Sequence, residues 1–307
     1  MKAADWQEHY IKRGDSNKPT YYIIRRERDW FGLFALYKIA AGFIRYALSK
    51  GWIPVVDMQN YPNAYLPPEK LGRENSWEYF FEQPLRIGIE QAYNGENVIL
   101  SDSYGLADPK LFESMALLEN QNSLLTEWRM LRKLGLLKIK DEIQQESLIL
   151  NPKLFSQNDR VLGVHLRGTD YAMKKPYQHP IIPPIEFAIS MILLKLEEWH
   201  CNKIFLATED KNIMQIFKDI FGDLCVTFNR EYINYTSDDW ITVCRIQRDN
   251  DHFLTGKEYL LEMLLLAQCN SFISVRCSGA VGVMMLAEQF EHTYFFNLGT
   301  YGEIGLD

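Results

Sequence analysis

The sequence predicts an α/β protein made of two α/β halves, the second of which is a doubly wound, Rossmann-like domain. Apolar runs of strand length alternate with helical periods through residues 161–289, which is typical of a sheet covered by helices. A strand–helix–strand pattern also occupies residues 20–58. The length of 307 residues favours two domains over one small module.

The first half begins with a predicted β-α-β unit. Residues 21–24 form a short apolar strand, and a helical period runs from Leu33 to Ala47. Gly51 ends that helix. Residues 52–57 then follow as a buried strand that finishes on Asp57.

The next segment is aromatic with interleaved carboxylates. Trp77 and Glu78 lie in this stretch, residues 74–84. Such a segment stacks on sugar rings or packs in the core beside a loop, and composition favours the core. An amphipathic helical stretch over residues 110–150 bridges the halves. Turn residues at 151–159 place the boundary, so we predict domains of residues 1–155 and 156–307.

The second half alternates strands and helices. The predicted strands are residues 161–166, 203–207 and 271–275, and the predicted helices are residues 184–198, 211–217, 256–268 and 280–289. In a doubly wound sheet, ligands bind at the carboxyl ends of the strands. We therefore expect the functional residues at those ends.

Composition excludes several classes of protein. A formal net charge of −7 and a pI near 5.5 argue against a nucleic-acid partner. The N-terminus has no apolar signal-like stretch, and no run has the length of a bilayer span. The odd count of five cysteines shows no zinc-like spacing. These observations predict a soluble, intracellular protein with reduced thiols and no metal.

The end of the first strand of the second half carries the segment His165-Leu-Arg-Gly-Thr-Asp170. The Arg167 guanidinium can form two hydrogen bonds to phosphate oxygens. Gly168 permits close backbone approach, and Thr169 offers a hydroxyl. An Arg167–Asp170 ion pair that braces the turn explains the same spacing equally well.

Two further strand ends carry polar groups. Asp210 follows the second strand, where it caps the next helix or joins Glu209 in an acidic pair that needs no cation. Ser278 and Gly279 follow the last strand and open a helix whose free N–H groups can bind phosphate. An ordinary N-cap is the alternative for this serine.

Glu262 lies among apolar residues of a predicted helix. A buried carboxylate needs a partner. The two adjacent N–H donors of guanine would suit it, and an intramolecular Arg or Lys would suit it too. From the residues alone, the intramolecular partner is preferred.

Residues 161–171, 203–210 and 258–287 resemble, in order and approximate spacing, the three motifs of the fucosyltransferase superfamily. That superfamily includes the core α1,6-fucosyltransferases, the nodulation fucosyltransferases and the protein O-fucosyltransferases. The resemblance covers about half of the chain.

The resemblance implies a fold of GT-B type with two Rossmann-like domains, in which the C-terminal domain binds the donor nucleotide. It implies an inverting, metal-independent transferase that needs no cofactor. The donor is a GDP-sugar, usually GDP-β-L-fucose, and the acceptor is a hydroxyl of an oligosaccharide or polysaccharide.

The resemblance also implies roles for individual residues. Arg167 binds the β-phosphate of the donor, and Glu262 takes the place of a guanine-binding aspartate. Apart from the resemblance, the mechanism needs a base for the acceptor hydroxyl, and Asp170 and Glu78 are the candidates. The other residues expected at the donor are His165, Gly168, Thr169, Asp210, Ser278 and Gly279.

The chain departs from the family pattern at a few positions. Gly168 replaces a frequent second basic residue, Gly279 replaces a second serine, and Glu209 and Glu262 replace aspartates. The first half resembles the family more weakly. A glycine loop over residues 28–34, which includes Gly32, resembles a loop that faces the donor, and Trp77 and Glu78 are candidates for the acceptor side.

Other functions stay open from the sequence. The same chemistry with a different GDP-sugar, such as a heptose or another deoxy sugar, is the nearest. A nucleotide- or glycan-binding protein without turnover is a second. An NAD-dependent oxidoreductase ranks low, because no G-x-G-x-x-G follows the early strands. The composition favours a bacterial cytoplasmic enzyme of polysaccharide biosynthesis, with no transmembrane segment but with room for peripheral membrane association.

Overall fold

The structure is a computed structural model that describes residues 7–15, 17–26, 31–103, 118, 123–177, 179–234, 241 and 244–302. The described part of the chain divides into two compact units. The first contains the described residues up to 143, apart from 118, together with 247–257. The second contains residue 118, the described residues 144–246 and those from 258 onward.

The first unit is built on a four-stranded sheet of order β1-β4-β2-β3. Its strands are β1 (His9–Lys12), β2 (Thr20–Arg25), β3 (Ile53–Asp57) and β4 (Asn97–Leu100). Strand β2 pairs in parallel with β3 and with β4, and β1 is antiparallel to β4. The predicted β-α-β unit is therefore confirmed.

Helix α1 (Leu33–Ser49) connects β2 to β3. Its apolar residues are buried on most sides, and large aromatic residues such as Tyr37 and Phe43 are fully covered. The helix ends at Ser49, and Gly51, two residues later, has a φ of 72° that is accessible to glycine at little cost. The helices that follow in this unit are α2 (Ile89–Tyr93) and α3 (Ser123–Lys133).

The predicted helical stretch over residues 110–150 consists, in its described part, of two helices. Helix α3 ends at Lys133, and α4 (Asp141–Leu154) begins only after an irregular segment. Gly135 has a φ of 77° in that segment, and Ile139 forms an isolated antiparallel β-bridge with Phe81. A left-handed residue interrupts the helical hydrogen bonds, so one continuous helix is excluded. Residues 104–117 and 119–122 of the predicted stretch lie outside the described residues.

The second unit contains a five-stranded, fully parallel sheet of order β7-β6-β5-β8-β9. Its strands are β5 (Val161–His165), β6 (Lys203–Ala207), β7 (Cys225–Thr227), β8 (Ser271–Val275) and β9 (His292–Phe296). The chain moves outward from β5 to β6 and β7, and then returns to the other side of β5 for β8 and β9. The change of direction places a topological switch point between β5 and β8.

Helices connect these strands, as the alternating pattern predicts. They are α5 (Thr169–Lys174), α6 (Ile185–Glu198), α7 (Lys211–Phe221), α8 (Asp251–Leu266) and α9 (Ser278–Leu286). The three central strands are buried along most of their length, as expected for parallel strands covered on both faces. The described residues contain no helix that is both long and apolar enough to cross a bilayer.

Candidate functional site

The candidate site lies at the carboxyl ends of β5 and β8, at the switch point of the second sheet. His165 is the last residue of β5 and pairs in register with Ser274 of β8. The turns that leave these two strands carry Arg167 to Asp170 on one side and Cys277 to Gly279 on the other. Two of the three predicted motifs therefore meet at adjacent strand ends, where ligands bind in such sheets.

His165 is buried and fixed by a neighbouring strand. Its Nδ1 lies 3.0 Å from Ser274 Oγ, and that hydroxyl donates its proton to the carbonyl of Val275 at 3.0 Å. Cys277 Sγ lies 3.8 Å from the same nitrogen, so Nδ1 faces both Ser274 and Cys277. The other edge of the ring lies beside Gly279, where an added Cβ would be 2.8 Å from His165 Cε1.

Gly279 is required by packing. A Cβ at this position would also lie 2.5 Å from the hydroxyl oxygen of Tyr259. The absence of a side chain lets the start of α9 approach both the imidazole and Tyr259. The neighbours of Gly279 are thus two side chains, and its expected place at the donor stays a prediction.

Arg167 is surrounded by three groups that orient its guanidinium. Nη2 donates to Asp170 Oδ1 at 2.8 Å, Nε lies 3.8 Å from Glu209 Oε1, and the guanidinium carbon lies 4.0 Å from the ring centroid of Tyr171. Burial would lower the pKa of Arg167, but Tyr171, Glu209 and Asp170 outweigh it and raise the pKa above its ordinary value. Arg167 is thus a fixed, permanent cation.

Asp170 is the ion-pair partner that the spacing allowed. It is 1% exposed and accepts from Arg167 and from the backbone N–H of Ile241 at 3.1 Å. The Arg167–Asp170 pair is therefore present, and it positions the arginine. A role for Asp170 as a general base stays a prediction.

Thr169 joins the two turns that follow β5 and β6. Its hydroxyl donates to Glu209 Oε1 at 2.7 Å, and its backbone N–H donates to Asp210 Oδ2 at 3.2 Å. Asp210 also caps α7, because its Oδ1 accepts from the N–H groups of Asn212 and Ile213. The capping interpretation of Asp210 is confirmed.

Gly168 lies against this cap. A Cβ on Gly168 would be 2.2 Å from Asp210 Oδ2 and 2.9 Å from Ile213 Cδ1. The close approach made possible by this glycine is therefore between the backbone at Gly168 and the carboxylate that caps α7.

Among the described residues, no group of three or more His, Cys, Asp or Glu is arranged to hold a metal ion.

Helix α9 directs its N-terminus toward the same edge. Cys277 is its N-cap residue and Ser278 is its first helical residue, so the serine is not the N-cap. Burial raises the pKa of Cys277, but His165 and Arg167 outweigh this effect and lower it. Arg167 is thus a positive charge close to this helix start, and a cation together with free helix N–H groups suits a phosphate group.

Glu262 has an intramolecular partner, as preferred from the sequence. Arg230 donates from Nη1 to Glu262 Oε2 at 2.5 Å, and both side chains are buried. Burial raises the pKa of Glu262 to about 7, even though Arg230 acts to lower it. Arg230 was not predicted, since it lies in an irregular segment after β7 with no motif around it.

Several buried polar atoms near these strand ends have no hydrogen-bond partner. In the described residues they include Arg167 Nε, Arg230 Nε and Glu262 Oε1. Native proteins satisfy most buried polar groups, and those left over are concentrated at functional sites. These three atoms leave hydrogen-bonding capacity at this edge of the second unit, and other buried arginine Nε atoms in the described part of the chain lack a hydrogen bond as well.

The candidates in the first unit are placed differently. Trp77 is 1% exposed, stacks on Tyr37 and packs on Phe81, and donates from Nε1 to the carbonyl of Glu82. The suggestion that Trp77 faces an acceptor sugar is therefore corrected, because its ring faces are covered by other rings. The core interpretation of this aromatic segment holds for Trp77.

Glu78 and Gly32 remain at accessible positions. Glu78 is exposed and accepts from the side-chain amides of Asn75 and Gln83. Gly32 is the extended N-cap residue of α1. Residues 28–30 of the loop expected to face the donor lie outside the described residues. The roles of Glu78 and Gly32 stay predictions.

No protein-family model matches the chain, and no curated protein sequence matches it. Solved structures do match. The structure of NodZ α-1,6-fucosyltransferase soaked with GDP-fucose is 16% identical, with a TM-score of 0.52 over 87% of this chain and 93% of that one.

Two further NodZ structures agree. The fucosyltransferase NodZ from Bradyrhizobium is 17% identical, with a TM-score of 0.51 over 92% of this chain and 97% of that one. NodZ α-1,6-fucosyltransferase co-crystallised with GDP is 17% identical, with a TM-score of 0.50 over 87% of this chain and 93% of that one. The chain therefore has a fucosyltransferase-like fold of parallel α/β sheets. The predicted fold class and the resemblance to this superfamily are confirmed at the level of fold.

Proposed function

We propose that the chain is an inverting, metal-independent glycosyltransferase that moves L-fucose from GDP-fucose to a hydroxyl of a glycan. The observation that carries this proposal is the convergence of Arg167, His165 and the N-terminus of α9 on one switch point. A cation and a helix N-terminus on adjacent strand ends suit a diphosphate. The donor sugar is chosen from the fold neighbours, one of which was soaked with GDP-fucose.

The proposed reaction is a direct displacement at the anomeric carbon. The acceptor oxygen forms the new bond while the bond to the β-phosphate oxygen breaks, and GDP leaves with the electron pair. Arg167 and the start of α9 stabilise the charge that develops on the departing diphosphate. A carboxylate accepts the proton of the acceptor hydroxyl, and Asp170 and Glu78 are the candidates.

Arg167 is the residue that tests this mechanism. Removal of one preorganised charge-stabilising group costs about 10²–10³ in rate in other enzymes. We therefore expect Arg167→Ala to lower kcat/KM for GDP-fucose by at least about a hundredfold. Arg167→Lys keeps the charge but not the planar fork, so it should retain part of the activity. Near wild-type transfer by Arg167→Ala would exclude the mechanism.

The nucleotide is tested by thermal stabilisation with UDP, GDP, CMP and NAD. Selective stabilisation by GDP is expected, and selective stabilisation by UDP would overturn the guanine assignment. A panel of GDP-sugars in a donor-hydrolysis assay then identifies the sugar. Binding of GDP without consumption of any donor would instead indicate a binding protein.

We further propose an oligosaccharide or polysaccharide acceptor and a place in bacterial polysaccharide biosynthesis in the cytoplasm. The support is that the sequence has an odd count of five cysteines without a disulfide-like pattern, which is typical of a reducing compartment. An assay with isolated cell-surface glycans as acceptors tests this part. Transfer only to a protein acceptor would contradict it.

A further inference from the structure

The Arg230–Glu262 pair is buried but incompletely bonded. The side chains are 6% and 2% exposed, and a single contact of 2.5 Å joins Nη1 to Oε2. Glu262 Oε1 and Arg230 Nε have no hydrogen-bond partner among the described residues. An arginine and a carboxylate usually satisfy each other through two parallel hydrogen bonds. This pair leaves one donor and one acceptor unused.

Glu209 links the pair electrostatically to the Arg167 part of the site. Glu209, at the end of β6, acts electrostatically on Glu262, on Arg230 and on Arg167. The other charged or titratable groups that act on the pair are Glu258, one turn earlier on α8, and Tyr232 in the segment that carries Arg230. Among the groups that act on Glu262, Arg230 is the positively charged one.

Arg230 comes from an irregular segment, whereas Glu262 comes from a well-packed helix. Residues 228–232 contain neither helix nor strand, and Glu262 is flanked on α8 by fully buried residues such as Leu261 and Met263. Side chains on irregular segments move at lower cost than those in the packed core. Of the two partners, Arg230 is therefore the one that can leave.

Guanine contains the same hydrogen-bonding unit as arginine. Its N1–C2–N2 fragment is a guanidine with two adjacent N–H donors, which suit the two oxygens of a carboxylate. We propose that Arg230 occupies the base position on Glu262, that guanine displaces it, and that Arg230 thereby determines base specificity by competition. This inference rests on the proposed function, because it concerns the base of the same donor nucleotide.

The competition favours bases that replace both donors. Guanine offers N1–H and N2–H to Glu262, whereas hypoxanthine offers only N1–H and adenine offers an acceptor at N1. A base that releases Arg230 without replacing its donors leaves a buried carboxylate unpaired, which is unfavourable. We expect the wild-type protein to bind GDP at least about tenfold more tightly than inosine diphosphate, and ADP more weakly still.

Arginine labelling of the wild-type protein tests the displacement. Calorimetry first establishes that GDP binds; if it does not, the proposed function fails and the labelling is not interpreted. Phenylglyoxal modification, located by mass spectrometry, is then compared with and without saturating GDP, and with ADP as the control. Labelling of Arg230 should rise severalfold with GDP and stay unchanged with ADP. Unchanged or reduced labelling of Arg230 while GDP is bound would overturn the inference.

Two variants test the competition independently. Arg230→Met removes the competitor, so at pH 8.5 its affinity for GDP and for inosine diphosphate should rise at least threefold, with a smaller ratio between them. Arg230→Lys keeps a competing cation and should bind both nucleotides nearly as the wild type does. Weaker or unchanged GDP binding by folded Arg230→Met would mean that Arg230 supports the base site. Labelling of the wild-type protein decides the question if Arg230→Met does not fold.

Discussion

Tyr171 illustrates how a single side chain orients the central cation. Its ring covers one face of the Arg167 guanidinium at 4.0 Å, and its other neighbours include the His179 ring at 5.1 Å. Burial raises the pKa of Tyr171 to about 12, although Arg167 acts to lower it. The phenol is therefore neutral near pH 7, and the contact depends on the ring and not on a phenolate.

Substitution of Tyr171 separates the ring from the hydroxyl. A cation–π contact of this kind contributes about 0.5–2 kcal/mol, so Tyr171→Ala should lower donor affinity by roughly two- to thirtyfold. Tyr171→Phe retains the ring and should bind GDP nearly as the wild type does. Isothermal titration with GDP measures both, and equal losses in the two variants would assign the effect to the hydroxyl.

The buried Arg230–Glu262 pair predicts a dependence of stability on pH. The pKa of Glu262 is about 7 in the folded chain, above its value of roughly 4.3 in an unfolded chain. The folded state therefore binds more protons between these values. The contribution of Glu262 to stability is fully present below about pH 4 and is lost as the pH rises through about 7.

The double variant Arg230→Met/Glu262→Met removes this dependence. Apolar replacement of both members of a buried ion pair is often neutral or stabilising. We expect the double variant to be at least as stable as the wild type at pH 8, with the difference shrinking toward pH 5. Urea denaturation at pH 5, 6, 7 and 8 measures it. A stability difference that does not change with pH would show that Glu262 does not titrate in this range.

At the scale of elements, the turns after β5 and β6 depend on one cap. Asp210 accepts from two N–H groups of α7 through Oδ1 and from the N–H of Thr169 through Oδ2. The same carboxylate thus caps a helix and fixes the turn that carries the residues of the site. A substitution that removes this carboxylate should therefore affect both the start of α7 and the turn after β5.

Asp210→Ala should destabilise the chain by about 0.5–2 kcal/mol, the usual cost of a lost N-cap. Asp210→Asn retains an oxygen that accepts from the helix and should lose less. Thermal unfolding measures the loss of stability in each variant, and a GDP-binding assay measures whether affinity falls with it. Loss of stability in Asp210→Ala with unchanged GDP affinity would show that the cap does not support the site.

The regular elements were the predictable part of the fold. Hydrophobic periodicity indicated β2, α1, β3, β5, α6, β6, α7 and β8, each near its observed bounds. Strands β1, β4, β7 and β9 were missed. Each is short, and β1 and β9 expose much of their surface, so the buried apolar pattern that marks a strand is weak there.

The site was predictable where its residues follow strands directly. His165, Arg167 and Asp170 lie within five residues of the end of β5, so the strand pattern and the polar residue types suffice. Arg230 could not be predicted, because its partner Glu262 is 32 residues away in a different element.

At the scale of the whole molecule, each compact unit contains a strand with two parallel neighbours that both follow it along the chain. In the first unit, β2 is flanked by β3 and by β4. In the second unit, β5 is flanked by β6 and by β8. The predicted boundary between residues 155 and 156 stays a prediction. Residues 247–257 belong to the first compact unit, although the described residues 144–246 that precede them belong to the second.

The order of the second sheet also has a consequence for biosynthesis. His165 and its hydrogen-bonded neighbour Ser274 are separated by 109 residues. At a translation rate of about 5–20 residues per second, the edge of β5 that pairs with β8 stays unpaired for on the order of ten seconds, until β8 has been synthesised. An unpaired strand edge associates readily with other chains. We expect stalled nascent chains that end before β8 to bind chaperones at β5 and chains that extend past β9 to be released, and pull-down of ribosome-bound chains of defined length would reveal whether this is so.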